Sequence, residues 1–77
     1  MDQYVAAASA ELRAAQGRAK LSNVALAAKS GIPLPTLRRY LNGERDTPVS
    51  ALFRIANALG VDAGRLLNDA ADRVEDA

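Results

Sequence analysis

Apolar residues recur along this chain at spacings of three and four, the pattern of helices that bury one face. Val5, Ala8, Leu12 and Ala15 mark a first helix from about Asp2 to Gln16, with Gly17 as its expected C-terminal breaker. Ser22 is placed to cap a second helix, whose buried side is expected from Val24, Leu26, Ala27 and Ala28. Gly31 ends it, and Ile32 is positioned for the apolar contact of a Schellman-type stop. A third segment runs from about Leu34 to Asn42, with Leu37, Tyr40 and Leu41 inward at i, i+3 and i+4. Asn42 and Gly43 both tolerate positive φ and form its stop; no alternating pattern flanks them to suggest a hairpin. Thr47 as cap and Pro48 at the first helical position open a fourth helix, with Leu52, Ile55, Ala56 and Leu59 as its buried stripe and Gly60 as its end. Asp62 caps a fifth, which carries Leu66, Leu67, Ala70, Ala71 and Val74. The connections are short, as in a compact helical domain. The expectation is an all-α domain of five helices over residues 1–77. Residues 67–77 are read as either a frayed acidic tail or a dimerisation segment, because anionic side chains at a helix C-terminus oppose the macrodipole.

Composition narrows the functional classes. Seventy-seven residues support one core and not two. Much of the apolar content is Ala, and the aromatics are Tyr4, Tyr40 and Phe53 alone, which favours helix over strand. There is no Cys and no His, so thiolate nucleophiles, imidazole bases, disulfides and the commonest zinc ligands are out of reach. The carboxylates are scattered or gathered near the end, and no deep pocket fits so short a chain, which argues against an enzyme. No cofactor, metal or small-molecule substrate is expected. No stretch reaches the roughly 18–20 apolar residues of a membrane span, and no apolar signal segment follows Asp2. The first helix lacks the basic polar face and large apolar anchors of a membrane-surface helix. The chain reads as a soluble, cytoplasmic protein.

The formal charge of +1 hides a segregation of charge. From Arg13 to Arg45 stand Arg13, Arg18, Lys20, Lys29, Arg38, Arg39 and Arg45 against Glu44, a local net of +6. From Asn68 to Ala77, Asp69, Asp72, Glu75 and Asp76 outweigh Arg73, a local net of −3. A basic middle points to a polyanion partner; the plainer alternative is a solvated face.

The segment from Ser22 to Asn42 has the build of two short helices crossing steeply around a tight turn. Gly31 supplies the positive φ of the turn, and Ala27 the small residue at the crossing. Leu26, Ile32, Leu37 and Tyr40 supply the apolar junction. The outer face of the second of these helices then carries Leu34, Pro35, Arg38 and Arg39, with Thr36 to one side. Two adjacent arginines on such a face suit the O6/N7 edge of guanine or a phosphate clamp; the alternative is a pair that only aids solubility.

Taken in order, Leu21-Ser22, Leu26-Ala27, Gly31-Ile32, Thr36-Leu37, Leu41-Asn42-Gly43 and Ile55-Ala56-Asn57-Ala58-Leu59-Gly60-Val61 resemble the lambda-repressor-like, or Cro/XRE, helix-turn-helix domains of phage and bacterial regulators. The resemblance covers about Glu11 to Leu67. It implies a sequence-specific regulator bound to double-stranded operator DNA, of the phage or prophage Cro-like or immunity-repressor type, with its third helix in the major groove. It further implies that Leu34, Pro35 and Arg39 face base edges with Arg38 at the groove wall. Ser22, Asn23, Thr36, Asn42 and Arg45 would meet phosphates. Ser22 and Asn42 can equally serve only as cap and helix stop. Two departures from the family pattern stand out. Pro33 stands where a capping Ser or Thr is usual, and Leu34-Pro35 stand where polar readers are common. Such domains usually read two half-sites, which implies a homodimer; the fifth helix, through Leu67, Ala71 and Val74, is the expected surface. The rival reading is an antitoxin-type module that clasps a partner protein and autoregulates its operon, with the acidic end as its docking element.

Overall fold

The computed structural model describes residues 2–75, and among them it has five helices and no strand. They are α1 (Gln3–Ala19), α2 (Asn23–Ser30), α3 (Leu34–Leu41), α4 (Val49–Leu59) and α5 (Ala63–Glu75). Each of the first four places one fully buried large aliphatic at a common centre: Leu12, Leu26, Leu37 and Ile55. Leu66 of α5 closes the cluster. Buried alanines, among them Ala15, Ala27, Ala51 and Ala58, let the helix backbones approach around these larger side chains. α5 packs chiefly along α1, so the first and last helices lie side by side.

α1 begins where Asp2 Oδ1 accepts the N–H groups of Tyr4 and Val5, at 2.7 and 3.2 Å. It does not stop at Gly17. A glycine inside a helix costs about 1 kcal/mol relative to Ala but forbids nothing, and Ala19 and Leu21 pack against the core beyond it. The stop is Lys20, at φ 57°, with the Leu21 N–H closing back on Gln16 O. α2 begins as expected, with Ser22 Oγ accepting from the Ala25 N–H at 3.1 Å. Its buried side is Leu26, Ala27 and Ser30, whereas Val24 and Ala28 are exposed. At 100° per residue those two lie together on the far side from Leu26, and an eight-residue helix buries only a narrow stripe. Its end is the simpler left-handed type rather than Schellman: Gly31, at φ 74°, donates to Ala27 O, and the Ile32 N–H turns to Ser30 Oγ.

α4 begins one residue later than its sequence suggests. Pro48 is the N-cap, with ψ 152°, and its carbonyl accepts from Leu52. Thr47 stands outside the helix, its hydroxyl buried and without a partner among the described residues. Asp62 caps α5 through bonds from the Gly64 and Arg65 N–H groups. Leu66 and Ala70 face inward, Ala71 is exposed and Val74 half-buried, while Leu67 keeps 46% of its surface in solvent. α5 is helical through Glu75, the last described residue. An ion pair from Arg73 Nε to Glu11 Oε1 clips it to α1, giving the buried carboxylate of Glu11 a partner. The expectation for Asp76 and Ala77 lies outside the described residues.

Lys20 is the one non-glycine residue with positive φ among the described residues. Removing its Cβ relieves the left-handed conformation, and Lys20→Gly is expected to raise unfolding stability by about 0.5–1 kcal/mol despite the freer unfolded chain. Urea titration checks this: the midpoint rises with an unchanged slope.

Candidate nucleic-acid interface

The turn between α2 and α3 is set from both sides. Gly31 supplies the left-handed residue, and the junction residues Leu26, Ala27, Ile32, Leu37 and Tyr40 are all buried. α3 is only eight residues long, too short to be stable alone. Leu37, Tyr40 and Leu41 are its buried residues. With that stripe inward, Pro35, Arg38 and Arg39 are exposed on the opposite surface. Leu34 departs from the expected free face: it is half-buried and packs against the core, because position 34 precedes Leu37 and Leu41 by three and seven and shares their side. Thr36 is half-buried as well.

The N-terminal end of α3 is poor in hydrogen-bonding groups. Pro33 occupies the N-cap with no side-chain cap bond, and Pro35 follows inside the first turn. Neither has an N–H. The C-terminal end is fully satisfied. Arg38 O accepts from the Asn42 N–H, and Arg39 O from the Glu44 N–H. Tyr40 O accepts from the Gly43 N–H and from the buried Ser9 hydroxyl, the latter at 2.7 Å. Leu41 O accepts from Arg13 Nη1. Gly43 carries the positive φ of this stop at 72°, while Asn42 stays right-handed at −85°. Ser9 and Arg13, four apart on α1, thus hold the end of α3 from outside.

That arrangement changes the reading of the basic middle. Arg13 belongs to the frame. Arg18 lines a cleft between α1 and α5 together with Glu11, Asp62 and Asp69, among carboxylates. Lys20, Lys29, Arg38, Arg39 and Arg45 are exposed. Among the described residues no carboxylate lies within ion-pairing distance of Arg38, Arg39 or Arg45. Asn42 is exposed beside the end of α3. At the start of α2, Ser22 Oγ caps Ala25, and Asn23 Oδ1 accepts from Gln16 Nε2 at 2.7 Å. The acceptor of Asn23 is therefore occupied, and no group among the described residues accepts from its Nδ2. A shallow cleft between the turn, α3 and α4 gathers Thr36, Tyr40, Ser50 and Arg54.

Sequence reasoning missed Ser9, Gln16 and Arg54, and misassigned Arg13. Ser9 had a signal: a small polar residue between Val5 and Leu12 on the inward spacing of α1. Arg54 had none.

A helix-turn-helix family model matches residues 10–66, from the second half of α1 into the first turn of α5. The chain belongs to the Cro/XRE-type helix-turn-helix family. Members of this family are DNA-binding regulatory domains, and the chain is a DNA-binding helix-turn-helix regulator. No match was found among curated proteins or solved structures. Among the described residues no helix is long and apolar enough to cross a membrane.

Replacing the Arg13 guanidinium leaves Leu41 O without its donor. Arg13→Gln is expected to cost about 1.5 kcal/mol of stability, the low end for a charged hydrogen bond because the side chain stays solvated. It should weaken DNA binding while leaving the slope of log K against log salt unchanged, since no phosphate contact is lost. Salt-dependent binding isotherms of the folded variant check this; a slope reduced by about one would make Arg13 a phosphate contact instead.

Proposed function

We infer that the chain is a sequence-specific transcriptional regulator of the repressor type, Cro-like or immunity-repressor-like as in phages and prophages. It inserts α3 into the major groove of an operator. The observation that carries this reading is the pair Arg38 and Arg39, exposed and without a carboxylate partner among the described residues, on a short helix held at its inner stripe and its far end. A guanidinium fork matches guanine O6/N7, and a helix fixed from behind can present it with little loss of freedom. Arg39 is assigned to base edges, with Arg38 at the groove wall. Pro35 and the exposed part of Leu34 lie at the tip of the same helix.

The phosphate contacts are assigned to Ser22, Asn23, Thr36, Asn42 and Arg45. For Ser22 the capping role and a phosphate contact are compatible, since the N-terminal N–H groups of α2 favour an anion. Asn23 Nδ2 has no acceptor among the described residues and can donate. Operator binding is assigned to a homodimer acting in the cytoplasm without a cofactor. Its proposed surface is the row Leu67, Ala71 and Val74 on α5, supported by the 46% exposure of Leu67.

Selection of bound duplexes from a random pool tests this reading. The expected product is a palindromic consensus with half-site centres about 34–36 Å apart. A pool without enrichment would favour instead a protein partner docked on the acidic end of α5, where Asp69, Asp72 and Glu75 are exposed.

On the selected site the two arginine roles separate. Arg39→Ala should weaken specific binding by about 1–3 kcal/mol and relax the preference at one base pair. Arg45→Ala should weaken all sequences alike and flatten the salt slope by about one. Equal losses for Arg39→Ala on specific and random DNA would remove it from base reading.

A further inference from the structure

The first turn of α3 is apolar where a groove-reading helix has most use for hydrogen bonds. Pro33 and Pro35 have no N–H, Pro33 makes no cap bond, and Thr36, the first polar side chain, is half-buried. Yet Pro33 and Pro35 are exposed, so the tip is an apolar surface that the core of this chain does not use. One turn on, Arg38 and Arg39 stand exposed without ionic partners among the described residues.

Spacing ties the two features together. Pro35 and Arg39 are four apart, so they share a face with Cβ atoms about 5–6 Å from one another. Leu34 and Arg38 repeat the arrangement, but Leu34 is turned partly into the core. In the major groove the apolar feature of a base edge is the pyrimidine C5-methyl group, and the feature that accepts an arginine fork is guanine O6/N7. Neighbouring bases on a strand are about 3.4 Å apart. A rigid ring and a guanidinium on one helix face at this separation span two successive bases. Proline adds that it has almost no side-chain freedom to lose on contact.

Resting on the assignment of α3 to the major groove, we propose that it reads a step in which a C5-methylated pyrimidine adjoins a guanine. The Pro35 ring packs on the methyl group while Arg39 forks to the guanine. Thymine and 5-methylcytosine share this chemistry.

The test uses the full chain and the duplex enriched from a random pool, with each thymine replaced in turn by deoxyuridine. One thymine beside a guanine should then lose binding about fourfold, the effect of one buried methyl group. Placing a C·G pair at that position should weaken binding, and 5-methylcytosine there should recover about fourfold over cytosine. A recovery that fails while the deoxyuridine effect holds would restrict the contact to thymine and overturn the shared chemistry. Pro35→Ala, its fold checked by helical circular dichroism, should bring the thymine-to-deoxyuridine ratio close to one. A ratio of one at every position in the unaltered protein, or an unchanged ratio in Pro35→Ala, overturns the proposal while the consensus, and with it DNA reading by α3, stands. A pool with no consensus removes the groove assignment itself.

Discussion

The carbonyl oxygens at the C-terminal end of α3 are the point on which the arrangement turns. A helix whose outer face must stay free for another molecule can be held only by its inner stripe and its ends. α3 has a stripe of one turn, Leu37, Tyr40 and Leu41. Eight residues of helix give few internal bonds, and four terminal carbonyls are left over. All four are answered here, two of them from α1: Ser9 on Tyr40 O and Arg13 on Leu41 O, 31 and 28 residues earlier in the chain. The Arg13 cation also sits at the negative end of the α3 dipole. The first helix therefore does more than fill the core, since it fixes where the last turn of α3, and with it Arg38 and Arg39, can stand.

The same logic explains which parts of the fold could be read from sequence. Caps and stops that act locally were legible: Ser22 and Asp62 at helix starts, Gly31, Gly43 and Gly60 at ends. So was one large aliphatic per helix. What failed depended on tertiary context. Gly17 reads as a stop, but local cost is overruled when Ala19 and Leu21 reach the core. Thr47 reads as a cap, but the extended backbone of Pro48 shifts the start by one residue. Val24 and Ala28 read as core because apolar residues on a short helix carry no sign of which side faces inward.

At the interface the outcome is similar. The scaffold residues Ala27, Gly31, Leu37 and Tyr40 were legible because each is required by the geometry of a tight helix crossing. Charge was less legible. A count of cations from Arg13 to Arg45 treats them as equivalent, whereas Arg13 bonds a carbonyl and Arg18 lies among carboxylates. Such assignments follow from which helices become neighbours, and Arg54 shows the converse: it lines one shallow cleft with Thr36, 18 positions earlier in the chain. The half-burial of Leu34 was accessible in principle, since its spacing to Leu37 and Leu41 is that of an inward residue.

The two helix N-termini of the motif differ in a way that bears on their use. α2 begins with a serine cap and an asparagine whose Oδ1 accepts from Gln16, while its Nδ2 has no partner among the described residues. Its first-turn N–H groups and dipole make it a place for an anion. α3 begins with two prolines in three residues, so two of the donors that would attract a phosphate are missing. The positive end of its dipole remains, but with little to hydrogen-bond through. The proposed phosphate contacts at Ser22 and Asn23 fit this contrast, and so does the proposed apolar contact of Pro35. This division depends on Pro33 and Pro35 rather than on net charge. That is why a formal charge of +1 is compatible with binding a polyanion: what matters is where donors and free cations stand.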